Sequence, residues 1–191
     1  QRVCRATRKT KRVLRLARGF GVLPPEHTDV AQEVWIDVHR SLPLFDPAKG
    51  TPRAWIAGIV RNASRDWKRT RRRRQEVASP DGQEPLDARA VEPTDETARS
   101  QLWEALCSFL ERAVPNEEQR DAWLLHDLEG MTVEEVARAT GVTRRTAKWR
   151  IEMARFNLKK AAKSLTDEER ETLRTVLLPL GGADGILRAL R

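Results

Sequence analysis

The sequence predicts an all-α protein of two small helical domains joined by a flexible linker, the second domain containing a helix-turn-helix. Three observations carry that reading. Residues 132–160, TVEEVARATGVTRRTAKWRIEMARFNLKK, spell two helices around a short turn, with cations spread along the second. Charge alternates along the chain: residues 1–74 hold 19 Lys and Arg against 6 Asp and Glu, residues 75–130 hold 4 against 14, residues 131–163 hold 9 against 3, and residues 164–191 hold 4 against 5. Residues 75–99 combine proline and acid with few large apolar side chains, a composition that cannot bury enough surface to stay folded alone. The expected organisation is therefore a domain over 1–74, a flexible acidic linker over 75–99, a helix-turn-helix domain over 100–163 and a helical extension over 164–191.

In the first domain, a basic segment over residues 9–19 carries Val13, Leu14, Leu16 and Ala17 and stops at Gly19, and Pro24 and Pro25 break the chain before a helix over 29–42. In that helix Val30, Val34, Val38 and Leu42 recur every four residues, with Trp35 and Ile36 beside them, while Asp29, Gln32, Glu33 and Asp37 form the polar face. The loop FDPAKGTPR leads to a third helix from Pro52, through Trp55, Ile56, Ile59 and Val60, into the basic run of residues 68–74. The cations of 71–74 suit either a solvated tail or phosphate contact with release of condensed counterions.

In the second domain, Thr132 followed three residues later by Glu135 is a capping box that fixes the start of the first helix. Gly141 ends it by accepting a left-handed backbone, and Thr143 caps the next helix. There Ala147, Ile151, Ala154 and Leu158 make one narrow inward stripe, so Arg144, Arg145, Thr146, Lys148, Trp149, Arg150 and Arg155 are expected to face outward. The extension repeats a capping box at Thr166 and Glu169, has an apolar face of Leu173, Val176, Leu177 and Leu180, and breaks at glycines before a last short helix.

Composition excludes several classes. A net charge of +8 and a pI near 10.2 point to a polyanionic partner. No run of about 18 apolar residues and no signal-peptide core are present, so no membrane insertion is expected. Two distant cysteines and three scattered histidines match no metal-ligand spacing, and no GxxxxGK[ST] loop or Ser-His-Asp pattern stands out; the expectation is a reduced, cytoplasmic, non-enzymatic protein without cofactor or metal. The opening at Gln1, without methionine, leaves room for residues preceding it.

The order DVAQEVWIDV, FDPAKGTPRAWIAGIVRNASRDWKR and, past the linker, VPNEEQRDAWLLHDLEGMTVEEVARATGVTRRTAKWRIEMAR resembles regions 2 and 4 of an extracytoplasmic-function (ECF) sigma factor. The resemblance implies two partners, core RNA polymerase and promoter DNA, and admits an anti-sigma factor as a third. It implies that Asp29, Gln32, Glu33 and Trp35 face the polymerase clamp. Phe45, Asp46, Pro47, Lys49, Gly50 and Thr51 would form the loop that holds a flipped minus-ten base, with Asn62 lining its pocket or merely ending a helical turn. Arg53, Arg61, Arg65, Lys68 and Arg69 would engage phosphates, and Trp55 and Trp67 are read as core anchors in preference to base-stacking platforms. Thr143, Arg144, Arg145, Thr146, Lys148, Trp149, Arg150 and Arg155 would meet the minus-thirty-five element. The chain departs from the family pattern at Arg145 and Trp149, where small residues are usual, so promoter preference does not carry over. A polymerase-independent helix-turn-helix regulator is the other reading open to the sequence. Trp149, apolar and outward, is expected to be covered in an inactive state by a partner or by residues 173–180, unless it packs under the extension as permanent core.

Overall fold

The computed structural model describes residues 2–22, 26–77 and 105–177, and among these it is helical with no strand. Helix α1 is Arg2–Gly19, α2 is His27–Ser41, and two 3-10 turns, Leu42–Leu44 and Pro47–Lys49, lead into α3, Pro52–Val77. After α4 (105–113) come α5, Glu117–Trp123, continued by a π-helical turn Leu124–Leu128, then α6, Val133–Thr140, α7, Arg144–Ala162, and α8, Asp167–Leu177. Residues 75–77 continue α3 into what composition assigns to the linker; residues 78–99 lie outside the described residues.

Helices α1, α2 and α3 pack on one another through Val13, Leu16, Ala17, Phe20, Val30, Val34, Ala57 and Val60, all buried. The four-residue apolar repeat of α2 buries only its first half. Each step of four advances about 40° beyond a full turn at about 100° per residue, so Val30 and Val34 face the core, Val38 is half-buried, and Leu42 is 56% exposed. Ile36, expected on the apolar side, is 49% exposed.

The second domain closes around Trp123, which is 1% exposed, with Leu106, Phe109, Leu110, Leu125, Met131 and Val136. The α7 stripe of Ala147, Ile151, Ala154 and Leu158 packs against α5 and α6. The π turn accommodates one extra residue before the chain leaves α5: Glu129 N–H donates to the Leu124 carbonyl at 3.0 Å, and Gly130 takes φ +63°, which suits glycine. Leu173 of α8 is buried against α4, lining a groove with Ala105 and Phe109. The buried residues of both domains form a single continuous cluster, because α3 packs along α6. At the closest approach, a β-carbon placed on Gly58 would lie 3.2 Å from the Ala139 carbonyl oxygen.

Candidate nucleic-acid interface

The helix-turn-helix is built as its sequence dictates. Thr132 Oγ1 accepts from the Glu135 N–H at 3.2 Å, and Glu135 Oε2 accepts from the Thr132 N–H at 3.0 Å, so two orphan donors at the start of α6 are satisfied reciprocally. Gly141 has φ +69° and ends α6; Thr143 Oγ1 accepts from the Thr146 N–H at 3.2 Å and starts α7.

The outward set on α7 is smaller than the sequence suggests. Arg144, Arg145, Lys148 and Trp149 are exposed, Trp149 to 53%; at the surface Arg144 pairs with Glu134 and Lys148 lies 3.8 Å from Glu152. Arg150 is not outward: its side chain is 13% exposed and ion-paired with Glu118 of α5. Arg155 is held by Asp127 in a two-pronged contact at 2.6 and 3.1 Å. Taking Ala147 as the zero of the helical wheel, Arg150, Arg155 and Arg144 fall about 60–80° to either side, on the shoulders of the inward stripe, where they meet acids of neighbouring elements. Arg145, Trp149 and Phe156 fall within about 20° of the opposite pole. Phe156, 62% exposed, belongs to this surface and was absent from the sequence-derived set, although the seven-residue spacing from Trp149 marks it. The described part of the extension packs on α4 and leaves Trp149 uncovered.

In the first domain, Asp46 caps the turn Pro47–Lys49 by accepting from the Ala48 N–H at 2.9 Å. This fixes a loop over the start of α3, where the Thr51 hydroxyl accepts from the Ala54 N–H at 3.3 Å. A cavity of about 170 Å³ lies there, walled by Phe45, Asp46, Lys49, Gly50, Thr51 and Trp55. Phe45 and Trp55 have ring centroids 5.0 Å apart, tilted by 44°. Trp55 is thus a cavity wall and not the core anchor expected of it, because it faces the loop; Trp67 does pack against the core, with the Arg71 guanidinium 5.2 Å over its ring. Asn62 is exposed on α3 and is not among the cavity walls, lying two turns beyond Trp55.

Four of the five α3 cations expected to meet phosphates already have acids. Arg61, 6% exposed, donates from Nε to Asp121 Oδ2 at 2.6 Å; Arg65 lies 3.0 Å from the same carboxylate; Lys68 pairs with Glu117. Arg69 is exposed and bonds Asp66 on its own helix. Arg53 is half-buried, its Nε unsatisfied; burial lowers its pKa, aided by the nearby Arg12 and opposed by Glu129 and Glu135. Burial likewise pushes the Asp121 carboxyl up, against the pull of Arg61 and Arg65. Burial also opposes ionisation of Glu117, yet the Lys68 contact outweighs it and holds that carboxyl below its ordinary value. Glu135 is held low by the Thr132 backbone N–H and by the Thr51 hydroxyl, which donates to it at 2.7 Å.

On α2, Asp29, Gln32 and Glu33 are exposed along one face. Trp35 does not share it: it is half-buried and packed against the core, about 120° away at helical pitch. Ile36 takes its place, seven residues after Asp29 and in phase with it.

Two family models match the chain, Sigma-70 region 2 over residues 7–74 and Sigma-70, region 4 over residues 116–158. The chain is 32% identical over 148 residues to the ECF RNA polymerase sigma factor SigE of Mycolicibacterium smegmatis, covering 78% of this chain and 56% of that one. It is 29% identical over 162 residues to "Probable RNA polymerase sigma factor RfaY" of Xanthomonas campestris pv. campestris, covering 83% and 39%. The chain thus spans about half or less of the length of these curated relatives. The fold is shared with a chain of the co-crystal structure of the sigma factor RpoE with the anti-sigma factor NepR from Bartonella quintana, at a TM-score of 0.56 and 21% identity over 82% of this chain and 93% of that one. The two region models together cover more than half of the 191 residues, in the same order as the two helical domains, and the chain belongs to the sigma-70 family, in its extracytoplasmic-function (ECF) type.

Proposed function

We propose that this protein is a transcription initiation factor that binds core RNA polymerase, reads a minus-thirty-five element with α7 and opens DNA at a minus-ten element with the first domain. The observation that carries this reading is the presence, on two separate domains, of a capped helix-turn-helix with Arg145, Lys148 and Trp149 outward and a loop cavity floored by Phe45 and Trp55. No catalytic group is required. Strand opening follows from binding an unpaired base better than a stacked one, where extrusion costs a few kcal/mol and stacking on an aromatic ring returns about 1–3 kcal/mol. Phe45 and Trp55 supply that surface, with Asp46 and the loop backbone as polar partners. Lys49, Arg53 and Arg69 engage phosphates; Arg61, Arg65 and Lys68 do so once released from Asp121 and Glu117. Asn62, outside the cavity, serves duplex beside the opened base, not the base itself.

Asp29, Gln32, Glu33 and Ile36 form the polymerase-facing surface of α2. An anti-sigma factor is a further partner, by analogy with the solved structure above. The protein works where its polymerase is, in the cytoplasm; among the described residues no helix is long and apolar enough to cross a membrane.

Reconstitution with core RNA polymerase tests the proposal. Transcription from specific promoters that core polymerase alone does not use supports it. Sequence-specific duplex binding by the free chain, with no polymerase-dependent transcription, would support the alternative of a polymerase-independent regulator.

A further inference from the structure

We infer that Leu44 is the wedge of promoter opening: it enters the base stack beside the extruded minus-ten base and fills the gap which that base leaves. The inference rests on the function proposed above and adds to it the residue that holds the stack apart. Of the large apolar side chains among the described residues, Leu44 is the most exposed, at 84%. A single leucine on a surface needs no explanation by itself. Leu44 differs in where it stands, because it lines the same cavity as Phe45 and Trp55, at the rim. Phe45 is the next residue in the chain, so a base held on its ring brings the broken step of the duplex against Leu44.

The turn that carries Leu44 is stiff. Residues Leu42–Leu44 form a 3-10 turn that includes Pro43, whose ring fixes φ. The Phe45 N–H closes that turn on the Leu42 carbonyl at 3.1 Å, the Ser41 hydroxyl donates to the Asp37 carbonyl just before it, and Asp46 caps the turn that follows. A side chain driven between bases must resist being pushed back, and here the backbone on both sides of Leu44 is tied. Its chemistry suits the role as well. The faces of the bases are apolar, and leucine offers branched volume with no polar atom to leave unpaired between them. Phe45 is committed to the cavity, with its ring centroid 5.0 Å from that of Trp55. The cavity therefore stabilises the extruded base, whereas Leu44 stabilises the stack that has lost it, and both favour the same open state.

The full chain is assembled with core RNA polymerase on a promoter fragment in two forms, one fully paired and one mismatched across the minus-ten element so that its bases are already open. Opening is followed with a fluorescent base analogue within that element, and transcripts are measured from both forms. Because Leu44 is exposed, Leu44→Ala should retain the fold, which circular dichroism checks. On the paired form Leu44→Ala should open at least ~10-fold more slowly, since part of the unstacking cost returns to the barrier. Leu44→Met, apolar and of similar volume, should stay within about 3-fold of wild type. On the mismatched form all three proteins should give equal transcript, because the step the wedge assists has already been made. Equal loss on both forms would place Leu44 on the polymerase or on intact duplex and overturn the inference, as would opening of the paired form by Leu44→Ala at the wild-type rate. Failure of wild type to start transcription at any promoter would contradict the function proposed above; a wild type that starts, with Leu44→Ala unimpaired, contradicts the wedge alone.

Discussion

Arg145 stands exposed at the second position of α7, nearest the end of the helix that would enter a major groove, and it lacks the acidic neighbour that holds Arg144, Arg150 and Arg155. Under the function proposed above, it is the candidate base reader. Arg145→Ala should cost about 1–3 kcal/mol at one position of the minus-thirty-five element and relax the preference there. Lys148→Ala should instead weaken all promoters alike and lower the salt slope by about one unit. Unchanged base preference in the Arg145 variant, measured by selection from randomised promoters, would remove it from that role. Arg150→Ala belongs to a different category, because its guanidinium is turned toward Glu118; it should lower stability by about 1 kcal/mol, or ~2–4 °C in Tm, with little effect on promoter choice. Glu135 offers a test by pH. Its pKa is lowered in the folded protein, so it contributes stability that is present above the ordinary carboxylate pKa and lost as pH falls through the lowered value. Glutamine keeps the capping hydrogen bonds but not the charge. The stability gap between wild type and Glu135→Gln should therefore be full near neutrality and shrink in acid; a constant gap would show that the charge is not what the site uses. Asp121 contributes with the opposite sign, since a raised pKa favours the folded state as protons are taken up.

Helix α7 shows how much of an element its sequence reveals. The Thr143 cap, the Gly141 stop and the stripe from Ala147 to Leu158 were all legible, because capping and periodicity are local properties. The fate of Arg150 and Arg155 was not: a wheel places them on the shoulders of the stripe, but only the position of α5 and its π turn supplies Glu118 and Asp127. The same limit applies to α2, where a four-residue repeat concealed the drift that exposes Leu42, and where Trp35 and Ile36 exchanged places between core and surface. For the extension, the capping box at Thr166 forms as expected, its hydroxyl accepting from the Glu169 N–H; of its expected apolar face Leu173 meets α4 and not Trp149, while residues 178–191 lie outside the described residues. Leu173→Ala should accordingly destabilise the protein by about 2–4 kcal/mol. In a variant retaining Trp149 as its single tryptophan, emission should be that of a solvated indole and should not change on truncation after Lys163. A blue-shifted emission that truncation moves to the red would mean that the extension covers the ring after all.

At the scale of the whole molecule, the charge pattern of the sequence finds a physical use within the chain. The acidic block between the two basic ones includes Glu117, Asp121 and Glu129, and in the folded protein these meet Lys68, Arg61 with Arg65, and Arg12 with Arg15. Sequence revealed the alternation but not its pairing, since the contacting residues are 49 to 117 positions apart. Breaking one of these pairs from one side only should be costly where burial is deep: Asp121→Ala, leaving Arg61 buried without its counter-charge, should lose about 3–5 kcal/mol of stability. Chemical denaturation should then show the two domains unfolding separately, where wild type is expected to unfold in one transition. The two-domain division of labour itself is tested most directly by mapping transcription start sites. Core RNA polymerase is supplied with this chain on fragmented genomic DNA, and the 5′ ends of the transcripts are sequenced. The expected result is a set of starts dependent on this chain, preceded by two shared sequence boxes about 10 and about 35 base pairs upstream, with Arg145→Ala degrading only the distal box. Starts no different from those of core polymerase alone, or starts sharing a single box, would contradict it.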